Sequence, residues 1–260
     1  MIKKIQTRLR QALALLRYFK NWRELVLLFL KRKNPKRIIL RNGIVIETPE
    51  DRTLLHITKE IFVEHVYTPI GSNLSIGAND VVVDIGANIG IFTLYAATKT
   101  QNKIYAFEPF PGNYEFLLRN IATNGLRNVT TDCLAVSDKR GVKKLYLSKK
   151  SGGQMLFDHR IDGRPFIEVP TQTLAGIMKE RSMNEIDFLK MDCEGSEGQI
   201  LASTPSDCLQ RIRAIAMEFH DNVSILKHED IQRLLEHHGF SCRLDWDGVS
   251  PFGYLYAARN

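Results

Sequence analysis

The sequence predicts an α/β protein: a doubly wound, mostly parallel sheet with an antiparallel C-terminal edge strand, preceded by an N-terminal helical and hairpin segment. Three observations lead there. Apolar, β-branched runs end in an acid and give way to helical periodicity, first at Val81-Val-Val-Asp84 and again at Lys103–Phe107. Gly86 and Gly90 punctuate the first strand-to-helix junction, where the backbone must turn tightly. The last two extended runs, Cys242–Trp246 and Tyr254–Ala258, lie close enough in sequence to pair as a hairpin at the sheet's edge. Together these describe a Rossmann-like sheet.

Taken in order, Ile5, Leu9, Leu13, Leu16 and Lys20 fall on helical spacing among Lys3, Lys4, Arg8, Arg10 and Arg17, which reads as a basic amphipathic helix. Arg37 to Glu47 is a hairpin around Asn42-Gly43, the dipeptide suited to a type I′ turn. Pro49, Glu50 and Asp51 open a helix to about His65, with acids facing its positive end. Val81–Asp84 is the first strand of the main sheet, followed by a helix to about Thr98 and a second strand over Lys103–Phe107. A helix from Asn113 to Asn124 is closed by Gly125, and a third strand spans Val129–Ala135. Residues 138–170 break the alternation: Val142–Leu147 and Phe166–Val169 are extended, with Ser151-Gly-Gly153 a flexible turn between them. Helix Leu174–Lys179, strands Phe188–Met191 and Ile212–Met217, and a helix over Glu229–His238 ended by Gly239 complete the alternation. The expected organisation is an accessory segment over residues 1–75 and a catalytic domain over 76–260.

Charge is unevenly placed. The net +7 conceals thirteen Lys/Arg and one acid in residues 1–41, a balance of +12, leaving −5 for the rest. The longest uninterrupted apolar run of the arm, Leu25–Leu30, is far short of the roughly 20 residues a membrane span needs. No cleavage-site pattern follows it, so a secretory signal is not expected. For the basic helix the readings are packing on the domain, homodimerisation, or peripheral attachment to anionic lipid. Nucleic acid is not an expected partner, because no aromatic-interleaved motif accompanies the charge. The four cysteines, Cys133, Cys193, Cys208 and Cys242, show neither C-x-x-C spacing nor paired histidines. They read as buried thiols in a reducing compartment, so the expected location is cytoplasmic, with the arm at most peripheral to a membrane.

The first junction narrows the ligand. Its pattern is D-x-G-x-N-x-G, with Asn88 where a dinucleotide fold has its middle glycine. The anion Asp84 opens the turn, which suits a cationic ligand better than a pyrophosphate. S-adenosylmethionine carries an ammonium and a sulfonium and no phosphate. Glu108, closing the second strand in Phe107-Glu-Pro109, is placed to accept hydrogen bonds from both ribose hydroxyls.

Asp84-Ile-Gly-Ala-Asn-Ile-Gly90, Phe107-Glu-Pro109, Asn113, Asn120 through Val129, Ala135-Val-Ser137, Lys190-Met-Asp-Cys-Glu-Gly-Ser-Glu197 and Glu218-Phe-His220 resemble the successive motifs of FkbM-type methyltransferases. The resemblance spans about residues 38 to 258. Cys193 stands where the family often has Val and Ser196 where it often has Ala; neither change removes a charge or a glycine. What the resemblance implies is an S-adenosylmethionine-dependent O-methyltransferase acting on a hydroxyl of a small-molecule or glycan acceptor, a sugar or glycoconjugate.

Ligands in such sheets bind beyond the carboxyl ends of the strands, which places Asp84, Glu108, Asp192 and Glu218 on one rim. The expected donor-binding residues are Asp84, Gly86, Asn88, Gly90, Glu108, Pro109, Leu134, Ala135 and Asp192, with Leu134 and Ala135 at the strand end where the family's adenine pocket lies. An alcohol acceptor needs a general base, and His220, two residues beyond Glu218, is the first candidate, with Asp192 and Glu194 beside it. Competing readings are a structural His220, helix capping by Glu194 and Glu197, and a divalent metal held by Asp192, Glu194 and Glu218. No metal site is assigned. A metal-assisted methyl transfer to another small molecule, and a non-catalytic module binding cofactor or nucleic acid, are the alternative functions. Strand four ends in D-C-E-G, without the Asn/Asp-Pro-Pro-aromatic sequence that serves nucleobase amino groups, so nucleobase methylation is disfavoured.

Overall fold

The computed structural model describes residues 15–31, 33–49, 53–147 and 165–259. The first fourteen residues of the basic arm, the Glu50-Asp51 helix start and the Ser151-Gly-Gly153 turn lie outside the described residues. Among the described residues no helix is long and apolar enough to cross a membrane.

The apolar run of the arm is a helix, α1 (Trp22–Leu30), which the sequence reading did not assign. Strands β1 (Arg37–Ile39) and β2 (Val45–Glu47) pair antiparallel, Ile38 opposite Ile46, around Gly43 at φ 97°. The expected hairpin forms, but not through a type I′ turn: Asn42 does not share Gly43's positive φ, and the loop is the three residues Arg41 to Gly43, closed by the Leu40 N–H on the Ile44 carbonyl at 2.8 Å. Helix α2 (Thr53–Lys59) runs on into one π-helical turn, Glu60–Glu64, and stops at His65, whose φ of 55° is left-handed.

The main sheet is built from β3 (Val82–Ile85), α3 (Ile91–Ala97), β4 (Ile104–Phe107), α4 (Pro111–Thr123) and β5 (Val129–Asp132). The expected third strand does not run unbroken to Ala135. Its last rung in the main sheet pairs Asp132 with Phe107, and Ala135 pairs instead with Thr171. So β6 (Ala135–Val136), β7 (Gly141–Tyr146) and β8 (Phe166–Gln172) form a separate three-stranded sheet in the order β6-β8-β7. The chain then returns through α5 (Leu174–Glu180), β9 (Ile186–Met191), α6 (Glu197–Ser203), α7 (Ser206–Leu209), β10 (Ile212–His220), α8 (His228–His237), β11 (Ser241–Asp245) and β12 (Phe252–Ala258). The seven strands lie in the order β11-β12-β10-β9-β3-β4-β5. Strands β5, β4, β3, β9 and β10 are parallel, and β12 runs antiparallel to both β10 and β11. The order reverses between β3 and β9, which is where a doubly wound sheet opens a crevice.

Alternation within the strands divides the core. Val83 and Leu189 face one apolar cluster, while their neighbours Val82 and Phe188 face another. The second cluster also holds Phe19, Leu25, Ile38, Ile46 and Leu54, so residues before and after position 75 share one core. Asn120 on α4 and Asn124 at its C-cap fasten the hairpin. Asn124 accepts from the Val45 N–H at 2.9 Å and donates to the Val45 carbonyl at 2.7 Å; Asn120 accepts from the Glu47 N–H at 2.7 Å. Their side chains continue β2's ladder, and Asn120 also donates 2.8 Å to the carbonyl of Ile89 in the first glycine turn.

Candidate active site

The turn after β3 is shaped by backbone contact. Gly86 has φ 74°, and a Cβ there would lie 1.8 Å from the carbonyl oxygen of Asp192. The two loops at the topological switch therefore touch through a position only glycine can occupy. Gly90, at φ 89°, is buried, and a Cβ on it would meet Leu117 of α4 at 2.6 Å. Its role is to seat α4 against the turn; it does not line the cleft.

Asn88, at φ 53°, turns its N–H onto Glu108 Oε2 at 2.8 Å. The other oxygen, Oε1, accepts from the Phe110 N–H at 3.0 Å and from Asn113 at 3.5 Å. Glu108 is held rigidly at the tip of β4, and burial raises its pKa to about 7 against the lowering effect of those bonds. Around it runs a cleft reaching Gly86, Asn88, Pro109, Ala135, Asp192 and Glu194. Leu134 packs on the core instead, and its neighbours Ala135 and Val136 line the wall.

Asp84 is placed differently from its expected role. It is fully buried inside β3, one oxygen accepting from the Thr93 hydroxyl at 2.6 Å and the other 3.1 Å from Lys190 Nζ. Lys190, on β9, also donates to the Gly86 carbonyl at 2.8 Å and sits 4.0 Å from Asp192. The carboxylate of Asp84 is answered from within the protein and faces neither cleft, so it does not meet a ligand's cation. Lys190 is a structural partner of the turn that the motif pattern alone does not assign. A lysine in the middle of the apolar strand Phe188-Leu-Lys-Met191 was the available signal, since an unpaired buried ammonium is prohibitively costly.

A second, larger cleft opens on the other side of the Gly86 turn, bounded by α2, the π-helical turn, Tyr67, Phe92, Glu218, His220 and Tyr254. The two clefts share Gly86, Asn88, Asp192 and Glu194. At that junction the buried Oδ1 of Asn88 has no protein partner, and Tyr67 donates to Asp192 at 3.2 Å. Tyr67 and Glu60 carried no sequence signal, because a loop and a helix far from the motifs bring them here.

The D-C-E-G turn takes its form from Glu197. This carboxylate, fully buried, accepts from the N–H of Cys193 at 2.7 Å and of Gly195 at 3.0 Å. The bonds hold Glu194 and Gly195 at φ 53° and 101°. Glu197 also lies 3.4 Å from His220 Nδ1, while His220 Nε2 is 3.6 Å from Glu194 and 4.0 Å from Glu218. Burial alone would lower the His220 pKa, but the close approach of Glu197 and the charges of Glu197, Glu194 and Asp192 outweigh it and raise it to about 10. The acids around His220 favour its imidazolium form, which has no lone pair to accept a proton, so this surrounding does not favour the expected role of His220 as the base. Glu194 and Glu218 are raised to about 8, chiefly by burial. Asp192, Glu197 and His220 present atoms within 4.8 Å of one another, yet both Glu197 oxygens already hold amides.

The sequence pattern of the Methyltransferase FkbM domain matches residues 84–242 of this chain. Methyltransferase sdnD of Sordaria araneosa is 30% identical over 236 residues, covering 78% of this chain and 89% of that protein. The 31-O-demethyl-FK506 methyltransferase FkbM of Streptomyces tacrolimicus is 29% identical over 244 residues, covering 78% of this chain and 92% of that one. A crystal structure of a methyltransferase FkbM from Methylobacillus flagellatus KT gives a TM-score of 0.49 at 17% identity, covering 75% of this chain and 47% of that chain. The family match spans more than half of the chain, from the Asp84 turn through the carboxylate rim and the whole β9–β10 segment. This chain belongs to the FkbM-type methyltransferases.

Proposed function

We propose that the protein is an S-adenosylmethionine-dependent O-methyltransferase acting on a hydroxyl of a sugar or glycoconjugate. The observation that carries this reading is the meeting of the two clefts at Gly86, Asn88, Asp192 and Glu194. One cleft suits a nucleoside and the other an acceptor, and among the described residues these four border both.

The nucleoside cleft fits the donor. Glu108 is fixed by two backbone amides with its carboxyl group in the cleft, where ribose hydroxyls would donate to it. The unpartnered Asn88 oxygen and the Asp192 carboxylate provide acceptors for the donor's ammonium. S-adenosylmethionine supplies a methyl group already activated on a sulfonium. The chain's own residues must then align the acceptor oxygen and take its proton. Glu194 is the group we assign as base, because it borders both clefts. The acceptor's O–H bond breaks as its oxygen gains the methyl, and the proton goes to the Glu194 carboxylate. The His220 imidazolium, 3.6 Å away, keeps enough of that carboxylate ionised to act, and Glu197 behind it keeps His220 charged. A relative's name supports an alcohol acceptor: the Streptomyces tacrolimicus enzyme is called a 31-O-demethyl-FK506 methyltransferase.

Calorimetric titration with S-adenosylhomocysteine tests the donor site. Wild type is expected to bind, and Glu108→Gln to bind roughly 10–100-fold more weakly, the loss of a charge-assisted partner. An unchanged dissociation constant in the variant removes Glu108 from the site and the reading with it.

A further inference from the structure

Resting on that reading, we infer that the acceptor carries no phosphate or carboxylate and presents an apolar face, and that the π-helical turn at Glu60–Glu64 selects it. The argument is one of charge pairing. Two cations border the acceptor cleft, Lys190 and His220. Each has its own counter-anion set behind the wall: Asp84 lies 3.1 Å from Lys190, and Glu197 lies 3.4 Å from His220. Both of those acids are fully buried, and neither lines the cleft. The cations are thus already neutralised, and Glu60, Asp192, Glu194 and Glu218 border the same space with no further Lys or Arg among the described lining residues. Glu60's own neighbours are His56 at 3.3 Å and Lys59, and Lys59 is itself paired with Glu64 at 2.7 Å. At the pH where Glu194 and Glu218 are ionised, above about 8, an anion entering here meets surplus negative charge in a partly desolvated cleft, where repulsion is poorly screened.

The remaining wall is apolar. Ile57 and Ile61 come from α2 and its π-helical extension, Phe92 from α3, and Phe252 and Tyr254 from β12. Phe252 is half exposed, and the β11–β12 turn beside it carries the exposed Val249. A single π-turn inserts one extra residue per helical turn and so re-aims the side chains at its start. Here those side chains are Glu60 and Ile61, one acid and one hydrophobe, both lining the cleft. A cleft lined by carboxylates together with aromatic and aliphatic residues matches a hydroxyl compound that is uncharged at its polar end and apolar along one face.

The test uses the full chain saturated with S-adenosylhomocysteine, whose binding is measured first. Hexyl β-glucoside, hexyl β-glucuronide and methyl β-glucoside are then titrated by calorimetry at pH 8.5. Hexyl glucoside is expected to bind, with the glucuronide and the methyl glucoside each at least tenfold weaker. In Glu60→Gln the gap between hexyl glucoside and hexyl glucuronide is expected to narrow at least threefold. Equal or tighter binding of the glucuronide overturns the exclusion of anions, and equal binding of methyl glucoside overturns the apolar face. Binding of none of the three, with the product bound normally, overturns the acceptor class while leaving the donor site standing. Failure of S-adenosylhomocysteine itself to bind overturns the methyltransferase reading of the site instead. An unchanged gap in Glu60→Gln overturns the role of the π-helical turn.

Discussion

Replacing Glu197 by Gln should release His220 from its charged state, and the size of the effect follows from the geometry. Glu197 is the strongest of the groups holding the imidazole proton, 3.4 Å from Nδ1 in a fully buried setting. Moving His220 from its ordinary 6.5 to about 10 corresponds to roughly 5 kcal/mol of interaction, at about 1.4 kcal/mol for each pH unit. With the Glu197 charge gone, burial acts against only the more distant Glu194, Glu218 and Asp192, so His220 should titrate near or below its ordinary value. Imidazole NMR titration measures this directly. The stability consequence has a definite sign. A histidine whose folded pKa is raised contributes its full stabilisation below the unfolded pKa and loses it as pH rises through the folded one. Wild type should therefore lose stability between about pH 6.5 and pH 10. From pH 6.5 to 9 the His220 share of that loss is roughly 3 kcal/mol, and denaturant melts of Glu197→Gln should lack it. Gln can still accept one of the two amides from Cys193 and Gly195, so the turn keeps part of its support. A wild-type His220 that titrates between 6 and 7 would refute the reasoning.

Glu194→Gln should lower turnover by about 10²–10⁴ with S-adenosylhomocysteine affinity nearly unchanged, because a general base acts on the acceptor's proton. The wild-type rate should rise with pH as the Glu194 carboxyl ionises, near 8, and the variant should lack that limb; equal turnover would pass the role to Glu218. Gly86→Ala should fail as a fold defect before it fails as a binding defect, since its Cβ would lie 1.8 Å from the Asp192 carbonyl; a variant with wild-type melting would show that the two loops separate without cost. Lys190→Met should cost about 3–5 kcal/mol by stranding the buried Asp84, measured by denaturant unfolding at pH 7, and Asp84→Asn in the same background should recover part of it.

Much of the fold was legible because hydrophobic period and glycine placement act locally. The strand-turn-helix at Val82–Ala97, the Asn42-Gly43 hairpin and the closing β11–β12 pair all follow from neighbours in sequence. The split of the third strand was not, because the pairing of Ala135 with Thr171 is a long-range choice that no local pattern encodes. Within the site, Glu108 was readable from its place at a strand tip. Glu60 and Tyr67 were not, since helix α2 and the loop after it reach the cleft only through packing of the shared N-terminal core. Gly90 was readable as a required glycine but not as a packing glycine, because Leu117 stands 27 residues away.

The acids of the rim look alike in sequence, and burial gives them different tasks. Asp84 and Glu197 end in the interior, where each fixes one cation and one piece of backbone: Asp84 through Lys190, which ties the carbonyl of Gly86, and Glu197 through the amides of the D-C-E-G turn. Neither can serve a ligand without abandoning a buried partner, a loss of several kcal/mol. Glu108 holds the middle position, both of its oxygens accepting backbone amides while its carboxyl group still borders the cleft. Asp192, Glu194 and Glu218 retain exposed oxygens and so remain available to donor and acceptor. The interior pairs are what make those three useful. By favouring the charged forms of Lys190 and His220, they allow Glu194 and Glu218 to stand 3.6 and 4.0 Å from one imidazole beside the junction of the two clefts, where the proposed donor and acceptor would need them.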